Sequence, residues 1–415
     1  MKFILAFFLF IFVFFPKNNF AQGDLPSLDS VDMLLTSMPV QIECTEGVNA
    51  LYNYQFDKAK SQFLWLRQYY RRHPLPYFLL GLAEWWKIVP NIEKITSYDK
   101  KFLAYMDTAI AFGKEMYEKN PKNVEASFFL AAAYGFKGRL YGERKQWTKA
   151  TFVGKKALEY MKLASDQNEL SPELLFGDGL YNYFAIWVPE NYPMLKPVLF
   201  FFKKGNKKLG IEQLETVIKN AFYTRTEAQY FLMRIYANDE NEQVKAFQIS
   251  KFLYQTYPNN PYFHRFYARM LYTQGYFTEL EVVAREIVKR VDEKVFGYEE
   301  VSGRYASFYI AYIFQIRYKN NDQAKIFYKR CVDFSELEGD KEAGYYLHSM
   351  SALAKIAILE KDEATATLYY EKIKEFAPKK HATLEEAKTY FKELKKKQKQ
   401  AKKDAKKEKG KSWIW

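Results

Sequence analysis

The stretch AFQISKFLYQTYP, residues 246–258, decides the fold. Ala246, Ser250 and Leu253 stand four and then three residues apart, which places them on one face of a helix. A small residue at the head of that face lets a second helix approach closely. Pro258 ends the helix because proline cannot continue the hydrogen-bond ladder. The same frame recurs in AIAFGKEMYEKNP, residues 109–121, and in ATLYYEKIKEFAP, residues 366–378. Ala150, Gly154 and Ala157 keep the face and lose the proline, while Ala59, Phe63 and Leu66 keep it with Pro74 arriving late. A companion signal follows the breaks: Leu80-Gly81 after Pro74, Leu130-Ala131 with Tyr134 after Pro121, and a weaker Tyr267-Ala268 after Pro258.

Outward from these windows, helix-period apolar stretches alternate with short breaks, and no long strand-like alternation occurs. Self-similarity near a period of about 34 residues is that of the tetratricopeptide repeat, which these windows resemble. The expected fold is all-α: a tetratricopeptide-like α-solenoid of seven or eight antiparallel helix pairs, wound as a right-handed superhelix and preceded by a signal peptide. Residues 1–21 are read as that signal peptide, 22–46 as a leader segment, 47–378 as the solenoid and 379–415 as a terminal helix with a Lys-rich tail. Turns are expected at Lys319–Asp322 and Glu336–Asp340, and an irregular connector at about 187–206.

A finer resemblance covers roughly residues 100–290. Gly177, Gly179, Tyr181, Asn182, Tyr183, Pro189, Gly210 and Leu214 match a Gly-x-Gly-Leu-Tyr-Asn-Tyr helix, a Pro-containing apolar link and a Gly-x-x-x-Leu opening of the next repeat. Tyr134 to Arg139, through Trp147, fits the same pattern. It resembles exported bacterial tetratricopeptide proteins and, more distantly, a eukaryotic tetratricopeptide family linked to the mitochondrial outer membrane and inclusion-body clearance. The resemblance implies a fold and no chemistry. This chain departs from it in having Lys203-Lys204-Gly205-Asn206 where an acidic turn is usual.

The N-terminus begins with Lys2, an unbroken apolar run from Phe3 to Phe15, and Pro16. That run is short for a bilayer span, which needs about 20 residues, and suits a cleaved secretory leader ending at Ala21. Its Ala-Gln junction resembles leaders of Bacteroidetes-type bacteria. The expected location is therefore periplasmic or envelope-associated in a Gram-negative cell. In such a compartment Cys44 and Cys331 could pair. Their separation in a solenoid favours two buried thiols instead.

Composition sets the remaining bounds. Hydrophobic residues make up 48% of 415, so the chain can bury a core, and 34 Tyr and 36 Phe can fill gaps between packed helices. The net charge of +14 is uneven, because the segment 392–411 carries eleven Lys against Glu393, Asp404 and Glu408. For an exported chain this points to an anionic envelope surface rather than to nucleic acid. His73, His264, His348 and His381 do not stand at metal-ligand spacing, and no phosphate-cradling loop or nucleophile elbow occurs. No metal, cofactor or catalytic residue is assigned, and the chain is read as a non-enzyme.

Three stretches could bind. Tyr134, Arg139, Tyr141, Tyr181, Asn182 and Tyr183 could line a concave groove for a protein or peptide, since Arg offers a planar fork and Tyr rigid amphipathic contact. The competing reading makes Gly177 and Gly179 sites of close helix approach, and it outweighs the first. Val198–Phe202, flanked by Lys196, Lys203 and Lys204, could touch a membrane, although a packed connector is favoured. Lys395, Lys396, Lys397, Lys402, Lys403, Lys406 and Lys407, with Trp413 and Trp415, could hold an anionic surface; a solvated helix extension is the competing reading. The leading expectation is a non-catalytic scaffold. An envelope tether is the alternative, followed by a small-molecule or glycan binder.

Overall fold

The computed structural model describes residues 33–165, 170–193, 196, 203–341 and 344–411. Seventeen α-helices and no strand occur among them. They run α1 (Met38–Tyr52), α2 (Phe56–Tyr69), α3 (Pro74–Ile88), α4 (Asp99–Lys119), α5 (Val124–Glu143) and α6 (Trp147–Ser165). Then come α7 (Leu174–Asn191), α8 (Lys207–Asn220), α9 (Arg225–Asn238), α10 (Gln243–Thr256), α11 (Pro261–Gln274) and α12 (Phe277–Asp292). The series ends with α13 (Glu300–Ile316), α14 (Asn321–Glu338), α15 (Gly344–Leu359), α16 (Glu363–Phe376) and α17 (Ala382–Lys411). Each odd-numbered helix up to α15 packs on the even-numbered one that follows, giving eight antiparallel pairs in a tetratricopeptide-like solenoid with α17 at its end.

The 246–258 frame does what its spacing requires. Ala246, Ser250 and Leu253 are fully buried, as are Ala59, Phe63 and Leu66, and Ala366 with Ile373. Three further second helices share the spacing without the proline: Gly210-Leu214-Val217, Leu280-Ala284-Ile287 and Ala324-Tyr328-Cys331. Small residues mark the closest approaches. A Cβ on Gly81 would sit 2.3 Å from Met106 Cε, and one on Gly210 would sit 2.7 Å from both Gly179 O and Tyr183 N.

Within six of the eight pairs the turn contains one left-handed residue: Tyr54, Lys145, Asn241, Gly275, Lys319 or Lys361, with φ between 53° and 75°. In four of these turns the next amide reaches back five residues, as Gln55 N does to Ala50 O, Gln146 N to Tyr141 O, Tyr276 N to Leu271 O and Asp362 N to Ala357 O. These bonds satisfy carbonyls that the helix end would leave unpaired. The connections between pairs vary, with a proline such as Pro121, Pro258 or Pro378 in some and the left-handed Lys294, Gly297 and Gly339 in others.

Some boundaries differ from the sequence reading. Residues 38–46 of the expected leader are already helical, because Pro39 sits in the first turn of α1, where its missing N–H costs nothing. The leader's earlier neighbour, the 3-10 turn Leu34–Thr36, is held by the buried Glu125 carboxylate, which accepts from Leu34 N (3.2 Å) and Leu35 N (2.6 Å). The connector expected from 187 begins later, since α7 runs to Asn191 with Pro189 inside it. The leader 1–21, the run Val198–Phe202, and Trp413 and Trp415 lie outside the described residues.

The larger difference is long-range. Instead of each repeat touching only its neighbours, the first two pairs curl onto the fifth to seventh. Trp86 Nε1 donates to Glu227 Oε1 on α9 (2.7 Å), and Tyr52 Oη reaches the same oxygen (3.3 Å). Asn260 Nδ2 donates to Tyr52 O (2.8 Å), and Arg265 Nη2 donates to Pro90 O (2.8 Å). Tyr54 packs on Phe296, and Asn91 meets Glu338 on α14. The Trp86 ring stands edge-on to Tyr52, Tyr230 and Phe263. One core accordingly extends from Leu34 to Met270, and a second from Tyr267 to Ala387. Cys44 belongs to the first and Cys331 to the second, both free and buried, and burial pushes each thiol up to about 12.

Candidate partner-binding surface

The first helices of the pairs carry a connected ladder of rings and guanidiniums. On α5, Arg139 lies 4.7 Å from the Trp85 ring, 5.0 Å from Phe231 and 5.2 Å from Tyr230, and its Nη2 donates to Tyr230 Oη at 2.7 Å. Arg234, one turn along α9, donates to the same phenol oxygen at 2.8 Å. Tyr230 meets Tyr262 of α11 at 5.2 Å between ring centres. Arg265 then bridges Tyr262 and Tyr305 of α13. Tyr305 stands edge-on to Tyr345 of α15 at 4.8 Å, and Tyr345 shares a 2.9 Å hydrogen bond with Tyr309. Tyr309 stacks on Tyr272, which also touches Tyr312.

Burial would push the Tyr230 phenol up. The charges of Arg139 and Arg234 outweigh that effect and hold it below its ordinary value. The Glu227 carboxyl goes the other way, pushed up by burial against the pull of Arg139. Tyr262, Arg234, Arg269, Tyr272, Tyr305, Tyr312 and Tyr345 are half-buried, and His348 is exposed. Together they form an aromatic, basic strip across α9, α11, α13 and α15.

Of the residues singled out in the sequence, Arg139 belongs to this ladder. The others do not join it. Tyr134 is buried and stacks on Tyr160 of α6 at 6.0 Å, and Tyr141 lies under the Lys149 ammonium. Tyr181 Oη donates to Lys203 O, Asn182 Nδ2 to Gln213 Oε1 (2.8 Å) and Tyr183 Oη to Glu240 Oε1 (2.7 Å). Burial raises the phenols of Tyr181 and Tyr183, and the Glu240 carboxylate adds to the second. With the Gly179–Gly210 contact, these bonds tie α7 to α8 and to the turn after α9.

The sequence reading missed Tyr230, Arg234, Tyr262, Arg269, Tyr272, Tyr305, Tyr312 and Tyr345. A signal existed: Tyr262, Phe266 and Arg269 repeat the four-and-three spacing on a different face of α11 from Tyr267-Ala268.

Lys395, Lys396, Lys397, Lys402 and Lys403 are all exposed on α17, whose packing ends near Leu394. Lys406 and Lys407 continue the helix backbone. Among the described residues no group of three or more His, Cys, Asp or Glu side chains could hold a metal ion, and no helix is long and apolar enough to cross a membrane.

No family model and no curated protein sequence matches the chain. Solved structures that resemble it include a human IFIT1 dimer with PPP-AAAA, at 13% identity and a TM-score of 0.38, covering 80% of this chain and 71% of that one. Yeast Tom70 is similar at 15% identity and a TM-score of 0.37, covering 78% of this chain and 64% of its own. The P58(IPK) TPR domain is similar at 14% identity and a TM-score of 0.23, covering 86% and 99%. The assignment of the fold stands on the helix pairs themselves.

Proposed function

We propose that the chain is an exported, non-catalytic scaffold that binds a protein or peptide partner on the inner strip of α9, α11, α13 and α15. The observation that carries this reading is the incomplete closure of the array. The first two pairs cover the strip at Trp86 and Pro90, yet beyond them Tyr272, Tyr305, Tyr312 and Tyr345 are only half-buried and His348 is exposed. Tyr-rich surfaces give large contact area at low entropic cost, which is the composition of energetically dominant interface sites. Export, a periplasmic or envelope location, and kinship with exported bacterial tetratricopeptide proteins are part of the same proposal. They are supported by the Phe3–Phe15 leader and the Gly177–Leu214 pattern.

Crosslinked affinity purification of the tagged protein from its native envelope tests the reading, beside a variant carrying Tyr312→Ala and His348→Ala. An abundant protein recovered with the wild type and lost with the variant is expected. Recovery that is equal with both would remove the strip from the reading.

A second reading has its own observation. Residues 395–405 form an exposed helix without an apolar stripe, which suits electrostatic attachment to an anionic envelope surface. Salt-sensitive binding to anionic vesicles, lost on deleting residues 395–415, is the expected signature. Binding that survives the deletion would place membrane contact elsewhere.

A further inference from the structure

From the third pair onward, every turn between a first and a second helix leaves a large apolar side chain exposed. Trp147, Tyr192, Val244, Tyr276, Tyr318 and Leu359 mark the six turns in order. The turns lie side by side along one edge of the array. Trp187 Nε1, near the end of α7, donates to Asp239 Oδ1 in the turn after α9 (2.9 Å). Arg317 Nη1 donates to Thr278 Oγ1 (3.0 Å), and Lys325 Nζ to Glu360 Oε1 (2.5 Å).

Charge divides this edge into two parts. Lys145, Lys149, Lys203 and Lys204 stand exposed at the α5–α6 and α7–α8 turns, and Lys155 is exposed on α6. The acids of α6, of the end of α7 and of α8 are each matched by a lysine already. Glu159 has Lys156, Glu190 has Lys207, Glu212 has Lys208 and Glu215 has Lys245. Past α8 the acids return: Asp239, Glu240 and Glu242 at the α9–α10 turn, Glu279 and Glu281 after Tyr276, and Glu360, Asp362 and Glu363 after Leu359. The α13–α14 turn carries Arg317 and Lys319, but Tyr318 and Lys325 tie it to Glu281 and Glu360 on its two neighbours. The basic part is also the most apolar. Besides Trp147, 58% exposed, α6 shows Phe152, 67% exposed, and Leu163 three helical turns along the same line. Among the described residues α2 is basic too, yet its one exposed large apolar residue is Tyr69 at its last position.

We propose that the α5–α6 and α7–α8 turns, with the outer face of α6, dock on an anionic lipid bilayer, Trp147 and Phe152 entering the headgroup layer and the lysines meeting lipid phosphates. Tryptophan and tyrosine sit at that depth because one end of the ring is apolar and the other wet. A basic helix face with exposed rings lies in the plane of the interface and does not cross it. One such attachment is weak and reversible, and stable anchoring takes two. This surface therefore adds to the basic tail, and it rests neither on the tail reading nor on the inner strip.

The test places a single thiol-reactive NBD dye at Trp147→Cys, Phe152→Cys, Tyr276→Cys or Leu359→Cys in the full chain. Cys44 and Cys331 are buried, with thiols pushed up to about 12, so the dye marks the introduced cysteine. The probe is a vesicle of one-third phosphatidylglycerol in phosphatidylcholine, beside vesicles of phosphatidylcholine alone. Emission is expected to rise about twofold and shift to the blue at 147 and 152 with the anionic vesicle only, and to stay unchanged at 276 and 359. In sedimentation, Trp147→Ser with Phe152→Ser should weaken binding about tenfold at an unchanged thermal midpoint. Vesicle binding with no response at 147 and 152 would overturn the proposal and leave the tail reading standing. Equal responses at 276 and 359, or with phosphatidylcholine alone, would overturn it as well. No vesicle binding by the full chain would remove both attachments.

Discussion

Tyr230 shows how much one side chain can be changed by its setting. Its oxygen accepts from two guanidiniums and its ring lies among Trp86, Phe231 and Tyr262. An ordinary tyrosine titrates near pH 10, and this one is held lower. Ionisation in the folded state therefore begins before it would in the unfolded chain. The group adds stability as pH climbs through its own lowered value toward about 10, and that contribution disappears when the pH falls back below it. Tyr52, Tyr54, Tyr223 and Tyr309 act in the opposite sense above that range, because burial raises all four. The expected outcome is a single early phenolate, seen as ultraviolet difference absorbance in mild alkali and absent in Tyr230→Phe. An unchanged early phase in that variant would assign it to another tyrosine. None of this was legible in the sequence. Tyr230 precedes Arg234 at ordinary helical spacing, but Arg139 comes from a different pair, and only the packing of α5 on α9 makes the second donor.

At the scale of the element, the second helices were the readable part. Ala246-Ser250-Leu253 and its copies announced themselves because a small residue, a helical face and a terminating proline coincide. Leu280-Ala284-Ile287 and Ala324-Tyr328-Cys331 use the same face, yet end without proline and so escaped notice as repeats, while Gly210-Leu214-Val217, also without proline, was reached only through the Gly-x-x-x-Leu resemblance. The turns were less readable still, because Lys145, Lys319 and Lys361 occupy left-handed positions where glycine or asparagine would be the expected signal. Lys361 has φ of 61° and an exposed side chain. Replacing it with Gly relieves the Cβ conflict and raises stability by about 0.5–1 kcal/mol, partly offset by the freer unfolded chain. Urea denaturation with an unchanged slope would show the gain; a lower midpoint would mean that the turn tolerates lysine without strain. The candidate site followed the same division. Arg139 was found because it stood near a recognisable motif, whereas Tyr262, Arg269 and Tyr305 lie on first-helix faces that the repeat pattern leaves unspecified.

At the scale of the whole molecule, a periodic sequence suggests an open coil of like units, and periodicity carries no information about its two ends meeting. Here the meeting is made by particular side chains. Trp86 carries most of it, through its bond to Glu227 and its contacts with Tyr52, Tyr230 and Phe263. Trp86→Leu removes the donor and three ring contacts, at an expected cost of about 2–4 kcal/mol. Hydrogen exchange should then rise in α1–α3 and in the facing parts of α9 and α11, with α13–α16 little changed. Uniform change along the chain would show that the closure is not a separable contact.

That closure also bears on how the chain comes to be made. A polypeptide emerges from its N-terminus, and a solenoid whose units need only their neighbours can fold as it appears. The first two pairs of this one cannot finish. The partners of Tyr52, Trp86 and Pro90 are residues 227, 260 and 265, so a large aromatic face waits while between 141 and 208 further residues are added before its counterpart arrives. During that interval the nascent chain presents Trp86 to whatever surrounds it. Premature termination anywhere before α9 would leave a fragment with that face permanently uncovered, a natural target for chaperones and proteases.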